Sequence, residues 1–194
     1  MRQETGVTRY HPLVVALHWL VALLVAGNLA AGALLLEPLA NADPAKAEIL
    51  RLHMASGLAI LVLMALRLIA RAVTKAPVSP HGKGALRWVA RLNHWALYLV
   101  VIAMLSTGLG MAQMGELFPL LEGAAVTLPA SFESLPPYAG HVLFSSVLLA
   151  LVALHVTAVA YHHARGENLL ARMWFGRRED HDAGVLNTPA KSRT

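Results

Sequence analysis

Cysteine is absent from the 194 residues. That excludes disulfides, iron–sulfur clusters and thioether-attached haem, all of which need thiols. Charge is scarce as well: Asp, Glu, Lys and Arg make up 14% of the chain, against 57% hydrophobic residues. A soluble domain carries about a quarter of its residues charged, so this composition belongs to a membrane protein. Lys and Arg number 16 against 11 Asp and Glu, a net charge of +5. In a polar protein that balance would suggest nucleic acid. Here the basic residues flank apolar runs and form no separate basic module, so no nucleic-acid partner is expected. No cleavable leader is expected either, because the first apolar run is long enough to span and no small-residue cleavage site follows a short apolar stretch.

What remains is apolar and helical in length. A helix needs about 20 apolar residues to cross the hydrocarbon core. Four stretches qualify: Pro12 to Leu36, Ile49 to Ala70, Leu86 to Ala112 and Tyr138 to His162. The expected fold is all-α, an integral membrane four-helix bundle over residues 1–178, followed by a polar, disordered tail over 179–194. Arg2, Arg9, Arg67, Arg71, Lys75, Lys83, Arg87, Arg91, Arg165, Arg172, Arg177, Arg178, Lys191 and Arg193 fall on one side, and only Lys46 and Arg51 on the other. The positive-inside rule puts both termini in the cytoplasm. A Pro- and Gly-rich turn is expected between Val73 and Gly84. The link from Gln113 to Pro137 is partly apolar and is expected to lie as a lid along the opposite face.

Inside these spans stand His18, His53, His141 and His155. An ionisable group within a bilayer is costly and signals function. His141 and His155 are 14 residues apart, roughly 21 Å of helical rise on nearly one face. One helix therefore offers a ligand at each of two depths. Span two enters from the outer side, so His53 matches His141 in depth. Span one enters from the cytoplasm, so His18 matches His155, with His94 on span three as the competing partner. Two imidazoles per level, with no carboxylate or thiol nearby, fit the axial positions of a haem better than a four-ligand zinc site. Gly57, one turn after His53, makes room for a macrocycle. Arg67, Arg71 and His162 are candidates to meet haem propionates or a quinone, and His162, His163 and His94 are candidate proton donors to a quinone.

These residues resemble the bacterial cytochrome b561 family, related to the cytochrome b subunits of nickel–iron hydrogenases. The resemblance runs through Leu17-His18-Trp19-Leu20, through Leu52-His53-Met54-Ala55-Ser56-Gly57, and through the stretch from Leu61 to Arg71. It continues through His141, Leu154-His155 and Ala160-Tyr161-His162-His163. It covers nearly the whole chain except the tail. The resemblance implies a bacterial inner-membrane protein with two haem b groups, His18 and His155 holding the cytoplasmic one, and His53 and His141 the outer one. It further implies electron exchange with the quinone pool, ubiquinone being the substrate. Some members are thought to oxidise superoxide at the outer face. The outer links here carry Glu37, Asp43, Glu48, Glu116, Glu122 and Glu133 against Lys46 and Arg51, a balance that repels an anion. Two other readings stand beside the quinone-linked oxidoreductase. One is a docking subunit for a dehydrogenase or hydrogenase, with a redox protein as partner. The other is a transporter whose histidines bind divalent metal.

Overall fold

The protein is described by a computed structural model covering residues 9–77, 85–167 and 169–176. Four long helices dominate the described residues, and no strand occurs among them. They are α1 (Pro12–Ala31), α2 (Pro44–Val73), α3 (Ala85–Met114) and α4 (Tyr138–Ala164), with a short α5 (Leu169–Arg172) after them. Each long helix contains a stretch apolar enough to cross a membrane. The polar tail expected after residue 178 lies outside the described residues, as does most of the expected turn between α2 and α3.

Local chemistry sets the helix ends. His11 caps α1, its Nδ1 accepting from the Leu13 amide, and Pro12 occupies the first turn, where its missing N–H is not needed. Asp43 accepts from the Ala45 amide and Pro44 follows, so α2 begins five residues earlier than the apolar run alone indicated. The helical path of α1 continues through a π-helical turn, Gly32–Leu36, so the first span reaches Leu36.

α1 packs along α2, and α3 packs along α4. The interior is layered. At the terminal end, where α1 begins and α4 finishes, Val14, Leu17 and Ala70 pack with Tyr10 and Leu63. In the middle, Val21, Val25, Ile60, Met64, Tyr98, Val101 and Leu148 come together from all four helices. At the opposite end, Ala112, Leu117, Leu120 and Leu128 pack against Ala47, Leu50, Met54 and Phe132. The link between α3 and α4 thus folds as a lid over the first turns of α2, shaped by two 3₁₀ turns, Phe118–Glu122 and Phe132–Ser134. Large apolar side chains such as Leu23, Leu34, Leu52, Val73, Leu92, Leu99 and Leu143 point outward. Such a surface suits lipid.

Polar groups inside the bundle are tied to one another. Ser56 Oγ donates to Asn28 Oδ1 at 2.6 Å, and Asn28 Nδ2 donates to the His53 carbonyl at 3.4 Å, joining α1 to α2. Interhelical bonds of this kind contribute about 0.6–2 kcal/mol in a membrane. Ser56→Ala is therefore expected to lower the unfolding free energy by about 1 kcal/mol, measured by denaturation in detergent micelles, with helix content unchanged. An unchanged midpoint would show that this bond does not hold the helix pair.

Candidate functional site

Seven histidines and two arginines emerged from the sequence as chemically active, and the fold gathers most of them at two levels. The middle apolar layer separates those levels. On α1, His18 precedes Val21 and Val25; on α4, Leu148 lies between His141 and His155. Ring periodicity places His141 and His155 on one side of α4, and each meets an imidazole from another helix.

At the loop end, the His53 and His141 ring centres are 6.3 Å apart. His141 Nδ1 lies 3.2 Å from the Met104 carbonyl and 3.2 Å from Thr107 Oγ1. Donation from Nδ1 to that carbonyl leaves Nε2 as the ring's accepting nitrogen, the tautomer by which a ligating histidine is oriented. Gly108 allows a close approach beside it, since a Cβ there would come within 3.2 Å of His141 Cε1 and the ring would have to give by a few tenths of an ångström. Gly32, where the π-helical turn of the first span begins, lies beside His53, a Cβ there meeting Cε1 at an ordinary 3.9 Å. His53 Nδ1 is buried and has no hydrogen-bond partner. Gly57 leaves ordinary contact distances, 4.0 Å to Asn28 Nδ2 and to Leu105 Cδ2.

At the terminal end, the His18 and His155 ring centres are 6.4 Å apart. His94 joins them, its ring centre 5.5 Å from that of His155. Its Nδ1 donates to the Ala90 carbonyl of its own helix at 2.6 Å. Arg67 is buried at this level. It donates from Nη1 to Tyr98 Oη at 2.8 Å, lies 5.5 Å from the Tyr98 ring centre, and leaves Nε without a partner. Arg71, one turn further along α2, sits over the Tyr10 ring at 5.8 Å. His162 is buried and its Nδ1 bonds Glu167 Oε2 at 2.9 Å, whereas His163 is exposed.

The donor set has a definite chemical meaning. A metal–imidazole bond is about 2 Å, and a five-membered ring's centre lies about 1 Å inside its nitrogen, so imidazoles on opposite sides of one metal ion put their ring centres about 6 Å apart. Both observed pairs have that spacing. The angle between the rings, 67° and 69°, is free to vary, because rotation about the metal–nitrogen axis leaves the spacing unchanged. Among the described residues, no group of three or more His, Cys, Asp or Glu converges to hold a bare metal ion. Two imidazoles at this ring-centre spacing fit a haem, whose macrocycle supplies the remaining four ligands.

Some of the site was not foreseen. Tyr98 stands four residues after His94 at the depth of Arg67, a spacing that marks it in retrospect. Glu167 follows α4 by only three residues. The segment 169–176 folds back onto the start of α1. There the Tyr10 amide donates to the Arg172 carbonyl at 3.2 Å and Trp19 Nε1 to the Met173 carbonyl at 2.8 Å, while the Trp19 and Trp174 rings meet edge to face at 5.8 Å. No sequence pattern signals this clasp.

Comparison with known proteins agrees with this geometry. A family profile described as prokaryotic cytochrome b561 matches residues 9–176, which include all four long helices and both histidine levels. The probable superoxide oxidase CybB of Yersinia pestis is 29% identical over 175 residues, spanning 85% of this chain and 95% of that protein. With its apolar helices and its histidines paired within the bundle, this chain belongs to the prokaryotic cytochrome b561 family and is an integral membrane cytochrome b of electron transfer.

Proposed function

We propose that this chain is a di-haem membrane protein that exchanges electrons with the quinone pool, its terminal end facing the cytoplasm of a bacterial inner membrane. The observation that carries this reading is one spacing, 6.4 Å and 6.3 Å, recurring between imidazoles of different helices at two depths. His18 and His155 hold the cytoplasmic-side haem, and His53 and His141 the outer one. The 5.5 Å between His94 and His155 is short for a pair on opposite sides of an iron, so His94 stands beside the centre as a polar neighbour. Arg67 and Arg71 are the cations for propionates at that level, and Gly57 keeps the α1–α2–α3 contact open near the outer centre. When bound, the haems supply one-electron carriers at two depths.

The basic residues support the orientation. Arg9, Arg67, Arg71, Lys75, Arg165 and Arg172 all fall at the terminal end, as the positive-inside rule requires of a cytoplasmic face. That end also carries the proton chemistry. Reduction of a quinone to a quinol takes two electrons and two protons. His162, buried and oriented by Glu167, is the donor placed to deliver a proton, and the half-exposed carboxylate connects it to water. His163 is exposed and exchanges protons with solvent directly.

The relative's name brings superoxide as an electron donor: two superoxide ions would release two dioxygen molecules and the two electrons that one quinone requires. The loop end offers that anion little attraction. Arg51 is paired with Glu48 at 2.9 Å, and Lys46 is buried, donating to the Leu39 carbonyl at 2.6 Å and lying 5.7 Å from the Phe132 ring centre. The function proposed is therefore quinone exchange, and superoxide is its donor only by the name of the relative. Quinone reduction by purified protein, with and without a superoxide source, separates the two.

His141→Ala and His155→Ala are each expected to remove one centre, read as haem per folded chain from the reduced pyridine haemochrome spectrum. Retention of both centres in either variant would falsify the two-level assignment. His162→Ala is expected to slow quinone reduction about 100-fold, the usual scale for a general acid, at unchanged haem content. Equal turnover in variant and wild type would remove His162 from the quinone site.

A further inference from the structure

The two histidine levels differ in charge. At the terminal end, Arg67 lies within electrostatic reach of His18, His94 and His155, and Arg71 within reach of His94. At the loop end, no lysine or arginine among the described residues acts in this way on His53 or His141. The two cations on that side of α2, Lys46 and Arg51, are occupied with the Leu39 carbonyl and Glu48.

Arg67 is the unusual member. A guanidinium stays charged at any working pH, and one buried in a membrane span normally pairs with a carboxylate. Among the described residues, none lies within ion-pair distance of Arg67. Its anchor is neutral. The Tyr98 hydroxyl accepts from Nη1, the same ring lies beside the guanidinium carbon, and Trp95 meets Tyr98 edge to face at 6.2 Å. Without that anchor a long arginine side chain would extend toward the headgroups, as such side chains do near helix ends. Tyr98 thus keeps a full positive charge inside the bundle.

We propose that Tyr98 is a positioning residue that holds the Arg67 charge against the terminal-end centre and so raises the reduction potential of that centre above that of the other. The proposal rests on the two-haem reading. Reduction adds one electron to the centre, with no bond formed or broken. A nearby fixed cation stabilises the added negative charge, more strongly in a bundle interior than in water. The reduced form is favoured where Arg67 is and not where it is absent.

The test is a potentiometric titration of the purified holoprotein, followed by haem absorbance, in wild type, Arg67→Gln, Arg67→Lys and Tyr98→Phe. His155→Ala, which lacks the terminal-end centre, assigns the two waves. Arg67→Gln is expected to disfavour reduction of the terminal-end centre about tenfold, a downward shift of about 59 mV for a one-electron couple, with the other wave unmoved. Tyr98→Phe is expected to shift the same wave in the same direction by less, and Arg67→Lys to keep most of the wild-type potential. Should Arg67→Gln fail to fold, Tyr98→Phe decides, since it removes one hydroxyl and keeps the ring. Two haems whose potentials ignore the loss of that hydroxyl, or waves that move together, overturn the role of Tyr98. A folded wild-type chain holding one haem or none overturns instead the reading on which it rests.

Discussion

Within a bilayer there is no water to complete a hydrogen bond, and every polar group in a span must find a partner in the protein or in a ligand. Most of this chain obeys that constraint locally. Ser106 and Ser146 bond the carbonyl four residues back on their own helices, and Thr107 does so as well. Ser56 and Asn28 satisfy each other across α1 and α2. The exceptions among the described residues are His53 Nδ1, Arg67 Nε and Asn93 Oδ1. One is a member of the loop-end histidine pair, one lies against the terminal-end histidines, and one is next in sequence to His94. Unsatisfied capacity is concentrated where the bundle is built to receive something.

The same constraint explains the layering. Apolar layers lie above, between and below the histidines, and the middle one separates one half-buried pair from the other. α4 contributes to both levels because 14 residues bring a helix back to nearly the same face. α1 and α2 run in opposite directions, so their histidines fall at opposite depths, and each meets a different histidine of α4. One helix in common and two partners of opposite direction set imidazole pairs at two depths of the bundle. Family membership and this arrangement support the same coarse conclusion, a membrane cytochrome b.

The two ends are not equivalent. The loop end is closed by an apolar lid and by Lys46, which ties the α1–α2 link to the Phe132 turn. The terminal end is basic, closed by the clasp of segment 169–176 on α1, and carries a third histidine and a buried arginine. In the proposed reading that asymmetry separates an electron-entry end from one that also handles protons.

Hydropathy, the spacing of His141 and His155, and the alternation of span direction were enough to expect the helix count and two histidine depths, with His53 beside His141 and with His18 and His94 both open as neighbours of His155. Those are properties of a single helix's pitch and of the alternation of direction that spanning imposes, and both are written in one dimension. Tertiary structure alone decided that three histidines converge at the terminal end, that His162 turns inward while His163 faces out, and that Tyr98 holds Arg67. It alone decided that Gly108 rather than Gly57 makes the close approach, and that the segment after α4 returns to clasp Trp19. Each depends on the rotation of one helix against another and on which side chains meet at that angle. An apolar helix hydrophobic on every side carries no stripe to fix its rotation, because lipid and protein interior reward the same residues.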